Sequence, residues 1–265
     1  MNAPESLHLE DVQSRPDARN LLIEAVGIKG IRYPLTLRSG ERLVPTIATL
    51  SMTVELAPAA RGTHMSRFVE LLESRTQPLD PLRFEQMVVE MLSRLSARSG
   101  SIEMHFPYFV RKAAPVSGVQ SQLDYEVSWR AAVSARGEHG FWMEVRVPVT
   151  SLCPCSKEIS EYGAHNQRSC IRIDAELLEA VSMEELIRVA ETSASCDLYG
   201  LLKRPDEKYV TERAYDNPKF VEDLVRDVAV ALNDDPRIGS YAVEAENFES
   251  IHNHSAFARV TRSIA

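Results

Sequence analysis

The order of hydrophobic periodicities along the chain restricts its fold more than any other feature of the sequence. Segments in which apolar and polar residues alternate flank two segments with apolar residues at helical spacing, and this order occurs twice. In the first half, residues 44–56 predict a strand, whereas 66–73 and a segment opened by Asp80-Pro81 predict two helices. The sequence therefore predicts an α+β fold in which antiparallel sheets carry paired helices on one face.

The remaining elements follow from turn and capping signals. The second helix is predicted to close at Arg98-Ser99-Gly100, and residues 136–140 predict a hairpin between two strands. In the second half, Ser182 to Glu185 form a capping box, and Asn217-Pro218 are predicted to open the last helix. Further strands are predicted at 102–106, 125–135, 141–149, 170–175, 241–247 and 255–261.

Composition excludes several functional classes. The 265 residues carry a formal charge of −8, which argues against a nucleic-acid partner bound through its phosphates. The sequence contains no G-x-G-x-x-G, Walker or G-x-S-x-G motif, so dinucleotide, P-loop and serine-hydrolase sites are not indicated. No apolar stretch approaches the roughly 18 residues of a membrane span, and no signal-peptide core is present, so we expect a cytoplasmic protein.

All four cysteines lie in the second half, and two of them form the densest reactive stretch. Cys153 and Cys155 follow a predicted strand, and His165 lies 12 positions after Cys153. A thiolate and an imidazole suit zinc, iron or manganese, and Cys-x-Cys is not the spacing of a structural zinc knuckle. The alternative is a loop with two half-buried cysteines, and Cys170 and Cys196 are predicted to be buried small apolar residues.

Three other polar groups carry candidate chemistry. His252 and His254 are predicted to share one face of an extended segment, although such a pair is more often found in a surface loop. Residues 203–213 are predicted to form a solvated loop, or alternatively to offer Glu207 as a ligand beside cations that bind an anion. Glu222 is predicted to face solvent near the start of the last helix.

These blocks resemble those of the type IB GTP cyclohydrolases of folate and pterin biosynthesis. The resemblance rests on PVTSLCPCSKEISEYGAHNQRS, and on GTHMSRF, RPDEKYVTE, NPKFVEDLVRDVA and ESIHNHSA in the same order. It covers about residues 25 to 262. The resemblance implies two tandem tunnelling-fold modules, at 25–138 and 139–265, after an extension at 1–24 that is predicted to be mobile. The second module would carry most of the active site.

The resemblance also implies a reaction and an assembly. Members of the family hydrolyse GTP to 7,8-dihydroneopterin triphosphate and formate, as homotetramers with active sites between subunits. The positions that match the family's metal ligands are Cys153, His165, Glu207 and His252. The implied cofactor is one divalent ion per site, Mn²⁺, Fe²⁺ or Zn²⁺, which would activate water for attack on guanine C8.

The other site positions have different implied roles. Cys155 matches the catalytic cysteine, and His254 and Glu249 are candidates for proton transfers during the ribose rearrangement. Glu222 matches the glutamate that anchors the purine edge, where a carboxylate accepts hydrogen bonds from guanine N1–H and the 2-amino group. Candidate triphosphate ligands, chosen for their closeness in sequence to these blocks, are Lys203, Arg204, Arg213, Lys157 and Arg168.

Two alternatives lie in other functional classes. One is an NADPH-dependent deazapurine nitrile reductase of the same fold, which uses a cysteine and a purine-anchoring glutamate without a metal. The other is a non-catalytic scaffold that binds a metal or a nucleotide. The nitrile reductase would give no role to His165, Glu207 and His252. Pterin formation from GTP would distinguish a cyclohydrolase from a non-catalytic scaffold.

Overall fold

The computed structural model describes Asp11, Gln13 and residues 15–263, so half of the predicted mobile extension lies outside the described residues. Within this part, nine strands and six helices follow one another. The strands are β1 (Ile23–Ser39), β2 (Arg42–Leu56), β3 (Gly100–Ala113), β4 (Gln120–Val133), β5 (His139–Leu152), β6 (Asn166–Leu177), β7 (Cys196–Asp197), β8 (Ile238–Asn247) and β9 (Ala256–Arg262). The helices are α1 (Ser66–Glu73), α2 (Pro81–Leu95), α3 (Pro154–Ile159), α4 (Met183–Ser193), α5 (Arg204–Asp216) and α6 (Val221–Asn233).

The named strands pair in antiparallel fashion and form one continuous sheet, in the order β1-β2-β3-β4-β5-β6-β8-β9. The short strand β7 pairs with β5 beside this path. The two halves of the chain therefore share a single sheet, because β4 of the first half pairs with β5 of the second through the predicted hairpin. Both halves contain strands, two helices and strands, and the second half adds α3, β7 and α5.

A single apolar core lies between the sheet and the helices. The alternation within strands buries one side chain in two, as Ile102, Met104 and Phe106 of β3 show. Trp129 is the largest fully buried side chain, and the rings of Phe84, Phe106 and Phe141 meet it edge-on with centroids 5.8, 5.5 and 5.9 Å away. The apolar faces of α1, α2, α4 and α6 join the same core, which confirms an α+β fold with helices on one face.

Local capping signals locate the starts of α2 and α4 correctly. Helix α1 has the predicted bounds, and the Asp80 side chain caps α2 by accepting a hydrogen bond from Arg83 N–H at 2.9 Å. The capping box of α4 is complete, since Ser182 Oγ accepts from Glu185 N–H while the Glu185 carboxylate accepts from Ser182 N–H. These bonds satisfy backbone donors that helix geometry leaves free.

Three predicted boundaries are wrong. Helix α2 ends at Ser96, which adopts the left-handed conformation, whereas Gly100 begins β3, where an added Cβ would lie 2.5 Å from Thr53 O. Residues 204–216 form helix α5 where a loop was predicted. Helix α6 begins at Val221 and not at Asn217-Pro218, because the Asn217 side chain bonds instead to the carbonyls of Ala194 and Ser195.

Antiparallel order gathers four connections at one end of the sheet, the β1–β2 turn and three others. The β3–β4, β5–β6 and β8–β9 connections all leave the sheet in the same direction, since alternate strands run in opposite directions. We call this end, with residues 114–119, 153–165 and 248–255, the loop rim.

In the part of the chain that the structure describes, no helix is long and apolar enough to cross a membrane.

Candidate active site

The cysteine-rich stretch begins at the loop rim, where β5 gives way to α3. Cys153 is the N-cap of α3, and its Sγ accepts a hydrogen bond from Ser156 N–H at 3.5 Å. The Cys153 side chain is half-buried, whereas Cys155, one position into the helix, is exposed. Both are free thiols, so one is held in place and the other is open to a ligand at the surface.

Cys153 lies directly opposite His165. The last paired residues of β5 and β6 are Leu152 and Asn166, and the ladder continues because Cys153 N–H donates to the His165 carbonyl at 3.2 Å. Side chains opposite one another on antiparallel strands share a face, with Cβ atoms about 4.5–5.5 Å apart. The structure therefore brings the backbone of Cys153 next to that of His165, the two residues that the sequence singled out.

The β8–β9 connection contacts the same histidine. Ser250 Oγ lies 3.2 Å from His165 Nδ1, so the second histidine cluster meets the cysteine stretch. The rings of His252 and His254 stack with centroids 5.2 Å apart, and both side chains are exposed. Glu249 is half-buried in this connection, and its N–H donates to Asn247 O at 3.0 Å. Two of the blocks that carry the resemblance thus converge at the loop rim.

Glu207 lies at the far end of α5 from the cysteine stretch. It is exposed in the first turn of the helix and forms an ion pair with Arg204 at 2.9 Å. Its neighbour Asp206 is buried and accepts hydrogen bonds from Ser117 Oγ, at 2.6 Å, and from three backbone N–H groups, two of them in the β3–β4 turn. At the other end of α5, the Lys157 ammonium donates to the Tyr215 carbonyl at 2.5 Å. Eight residues of helix separate the two ends, which is about 12 Å.

Glu222 occupies the first turn of α6 and is exposed, as predicted. The connection before α6 contacts the cysteine stretch, because Lys219 N–H donates to Leu152 O at 3.1 Å. Arg213 is exposed on α5, and its positive charge acts on the Cys196 thiol of β7. Burial raises the pKa of that thiol, and Arg213 lowers it. Arg168 lies at the start of β6, where its carbonyl accepts from Phe248 N–H at 3.0 Å.

The two remaining cysteines have different environments. Cys196 is buried, as predicted. Cys170 was predicted to be buried as well, but it is half-buried on the helix-free face of the sheet, because Ile171 and not Cys170 points into the core. Burial raises the pKa of the Cys170 thiol, and the neighbouring Arg146 lowers it.

Sequence reasoning missed a charged cluster near the rim. Lys112 Nζ donates to Glu191 Oε1 at 2.7 Å and to Asp197 Oδ2 at 3.0 Å, and Tyr125 OH donates to the same Glu191 oxygen at 2.6 Å. Burial raises the pKa of Tyr125, and its bond to Glu191 raises it further. The cluster fixes the end of α4 to β3 and β4, and nothing in the spacing of its members along the sequence predicts it.

The donor set at the rim suits a borderline divalent ion in part. A thiolate and an imidazole are ligands that zinc, iron and manganese accept. The Ser250 contact uses His165 Nδ1, so Nε2 is the atom with which His165 would bind an ion. Within the described chain, however, no three His, Cys, Asp or Glu side chains are placed to hold a metal together. Cys153 and His165 fit such an ion, and Glu207 and His252 are not gathered around them.

Comparisons with known proteins give a consistent result. Residues 9–258 match the family model described as type I GTP cyclohydrolase folE2. The chain is 58% identical to "GTP cyclohydrolase FolE2 1" of Dechloromonas aromatica, over 98% of each chain. It is 60% identical to GTP cyclohydrolase FolE2 of Paraburkholderia xenovorans, over 96% of this chain and 95% of the relative.

Solved structures of similar shape include urate oxidases. The match to a highly active mutant of the Bacillus sp. TB-90 urate oxidase covers 91% of this chain and all of the urate oxidase chain, with a TM-score of 0.52 at 10% sequence identity. Urate oxidase from Bacillus subtilis 168 gives the same TM-score of 0.52 at 9% identity, over 91% of this chain and 98% of its own. At these identities the likeness concerns the fold alone.

Proposed function

The chain belongs to the type I GTP cyclohydrolase FolE2 family, and from this premise we propose how its residues carry the reaction. The protein is an enzyme, a GTP cyclohydrolase of folate biosynthesis, which converts GTP and water to 7,8-dihydroneopterin triphosphate and formate. The similarity does not favour a nitrile reductase or a non-catalytic scaffold. We assign it to the type IB group, on the cysteine block from Pro148 to Ser169.

The observation that carries the site proposal is the pairing of Cys153 with His165, on which the β8–β9 connection rests through Ser250. We assign Cys153, His165, Glu207 and His252 as ligands of one divalent ion, Mn²⁺, Fe²⁺ or Zn²⁺. Bound there, the ion would lower the pKa of a water molecule that attacks guanine C8. The chain's own contribution is to hold the thiol and imidazole side by side before the ion arrives.

Other residues at the rim would bind and rearrange the substrate. The exposed carboxylate of Glu222 would accept hydrogen bonds from guanine N1–H and the 2-amino group, which adenine does not offer in that pattern. The exposed thiol of Cys155, together with His254 and Glu249 of the β8–β9 connection, would move protons at C1′ and C2′ of the ribose. In this proposal the groups that move protons are neighbours of the metal ligands and do not themselves bind the ion.

The triphosphate would meet cations of α5 and its surroundings. We retain Lys203, Arg204 and Arg213 as ligands, with Lys157 and Arg168 nearer the cysteine stretch. Arg213 is the nearest of the three along α5 to the cysteine stretch, because it lies two residues before Tyr215, whose carbonyl accepts from Lys157. Arg204 would first have to leave its ion pair with Glu207. Freeing Glu207 in this way would couple phosphate binding to completion of the ligand set.

Assembly would complete the site. One chain leaves Glu207 about 12 Å along α5 from the end that contacts Lys157. We therefore propose a homotetramer in which the four ligands close at interfaces between subunits. We propose two tunnelling-fold modules, 25–138 and 139–265, joined at the β4–β5 hairpin. We place the enzyme in the cytoplasm, where the free thiols of Cys153 and Cys155 stay reduced.

The test of this function is direct. The purified protein is freed of metal, reloaded with Mn²⁺, Fe²⁺ or Zn²⁺ under anaerobic conditions, and incubated with GTP. We expect formate release and, after oxidation, pterin fluorescence that depends on the added ion. Full activity of the metal-free protein would contradict the ligand assignment, and formate without a pterin would show that ring opening proceeds but ribose rearrangement does not.

A further inference from the structure

The core face of three adjacent strands changes from apolar to polar just before the loop rim. Towards the middle of the sheet this face is formed by Val149 of β5, Ile171 of β6 and Ala245 of β8. One step nearer the rim the same face carries Ser151, Gln167, Ser169 and Asn247, whose exposed fractions are 0%, 7%, 1% and 3%. Four polar side chains are therefore buried where the alternation would place aliphatic residues.

These side chains form a chain of hydrogen bonds with a defined direction. Ser169 Oγ donates to Asn247 Oδ1 at 2.7 Å, and an amide oxygen can only accept. The Ser169 proton is therefore used, so Ser151 must donate to Ser169 Oγ across their 2.7 Å separation. Ser151 Oγ in turn accepts from Gln167 Nε2 at 3.2 Å. The donor and acceptor roles are therefore fixed one after another, starting from the Asn247 amide oxygen and ending at the Gln167 amide nitrogen.

The chain of bonds ties together the three strand ends that support the site. Ser151 lies two residues before Cys153, Gln167 two residues after His165, and Asn247 two residues before Glu249. The bonds cross from β5 to β6 and from β6 to β8, so they set the lateral spacing of these strands at the rim. A second tie holds β5, because Leu152 N–H donates to the buried Ser195 hydroxyl at 3.1 Å.

Stability alone does not account for these four residues. Replacing both partners of a buried hydrogen bond with apolar groups of similar shape is close to neutral, and an unpaired buried acceptor is unfavourable. Gln167 Oε1 is such an acceptor, since it is buried without a partner among the described residues. Buried hydrogen bonds between side chains do, however, favour one arrangement of the elements they join.

We propose that Gln167, Ser151, Ser169 and Asn247 are positioning residues, which hold Cys153 and His165 at the spacing that a divalent ion requires. The inference rests on the proposed function, because it takes Cys153 and His165 as ligands. None of the four contacts the ion or the substrate in this account. They act through the strand ends, as outer hydrogen-bonding partners do at other metal sites.

The experiment measures Mn²⁺ affinity and folding separately. The variants are Ser169→Ala, the double variant Ser169→Ala/Asn247→Leu, and Ser169→Thr, which keeps the hydroxyl. The dissociation constant for Mn²⁺ is obtained by competition with a chromophoric chelator, and the metal-free Tm by circular dichroism. The matched control is Ser193→Ala, because Ser193 is 7% exposed and its hydroxyl donates within α4, to Val189 O at 2.8 Å.

We expect the first two variants to raise the Mn²⁺ dissociation constant about 10-fold or more. Ser169→Thr and the control should stay within about 2-fold of wild type. The metal-free Tm should fall less in the double variant than in Ser169→Ala, because the double variant leaves only the Ser151 hydroxyl without its partner, whereas Ser169→Ala leaves the Asn247 amide oxygen without one as well. If the double variant does not fold, Ser169→Ala against Ser169→Thr decides the same question. Wild-type Mn²⁺ affinity in folded Ser169→Ala would overturn the proposal.

A second comparison separates this proposal from the function beneath it. Cys153→Ala should bind Mn²⁺ far more weakly than wild type. If it binds Mn²⁺ as tightly as wild type, the ligand assignment is wrong and the positioning proposal falls with it. If Cys153→Ala loses the ion while Ser169→Ala and the double variant keep it, only the positioning proposal is overturned.

Discussion

Substitution of Glu222 by glutamine tests base recognition with little disturbance of the fold. The side chain is exposed in the first turn of α6, where a carboxylate contributes about 0.3–1 kcal/mol through the helix dipole. Glutamine keeps one acceptor oxygen but presents an amide donor where the second oxygen stood. The variant therefore loses one hydrogen bond to a charged group and weakens the other. A full bond of this kind contributes about 1.5–3 kcal/mol to binding. We expect a total loss of about 2–4 kcal/mol, or roughly 30- to 1000-fold in kcat/KM for GTP.

The assay is steady-state pterin fluorescence with GTP and with inosine triphosphate, which lacks the 2-amino group. Wild type should prefer GTP, and Glu222→Gln should lose most of that preference because its second acceptor is gone. Bound metal and Tm should remain close to wild type. The matched control is Asp223→Asn, which removes the same charge one residue away and keeps an oxygen to accept from Phe220 N–H.

The control should keep kcat/KM for GTP within about 3-fold of wild type, since a surface charge change away from the substrate has small effects. The two variants thus separate loss of a charge from loss of a base contact. An unchanged kcat/KM and an unchanged preference for GTP in Glu222→Gln would refute the anchor role. Equal losses in both variants would show that the charge of the helix start matters, and not the contact.

Three further predictions concern stability and the cofactor. The pKa of Glu185 is lowered from 4.5 in the fold by bonds from Ser182 and Arg237, so the stability it provides is complete above that pH and is lost as the pH falls below it. At pH values below about 4.5, Tm should therefore decrease less steeply with falling pH in Glu185→Gln than in wild type. Parallel curves for the two proteins would contradict this account. Phe84→Ala should lower the free energy of unfolding by about 3–5 kcal/mol in urea titrations, since Phe84 packs edge-on against Trp129, and a loss below about 1 kcal/mol would show that the core collapses around the cavity. A chelator should abolish pterin formation with little loss of Tm, and added Mn²⁺ should restore it, whereas retained activity would exclude a required ion.

Local signals in the sequence were sufficient where short-range bonds decide the structure. The Asp80 cap, the Ser182 capping box and the β4–β5 hairpin each involve residues within six positions of one another. The α+β class followed from periodicity, because alternation and helical spacing report which face each element buries. Convergence of the cysteine stretch with the β8–β9 connection was expected from chemistry, and the Ser250 contact with His165 is consistent with it.

Long-range contacts decided the features that the sequence did not reveal. Helix α5 has a weak apolar face, and Asp206 at its start bonds locally to Lys203 N–H and also to Val116 and Ser117 about 90 residues earlier. No local pattern reports such a long-range bond. The same holds for the buried bonds from Gln167 to Asn247, which join strands that are adjacent only in the folded sheet.

The role of Cys170 shows a different reason for error. Small residues at strand positions fit either face, so composition alone places them poorly. The neighbours Ile171 and Ile173 are fully buried, and strict alternation then puts Cys170 on the opposite face, beside Arg146. Parity counted from the isoleucines would have given the correct face from the sequence.

The division of roles between the two cysteines is the central claim, and one paired measurement tests it. Cys153→Ala and Cys155→Ala are purified anaerobically, loaded with Mn²⁺, and examined for bound metal and for pterin formation from GTP. The account predicts that Cys153→Ala loses both the ion and turnover, whereas Cys155→Ala keeps the ion and loses turnover. Equal metal content in the two variants, whether retained or lost, would contradict it.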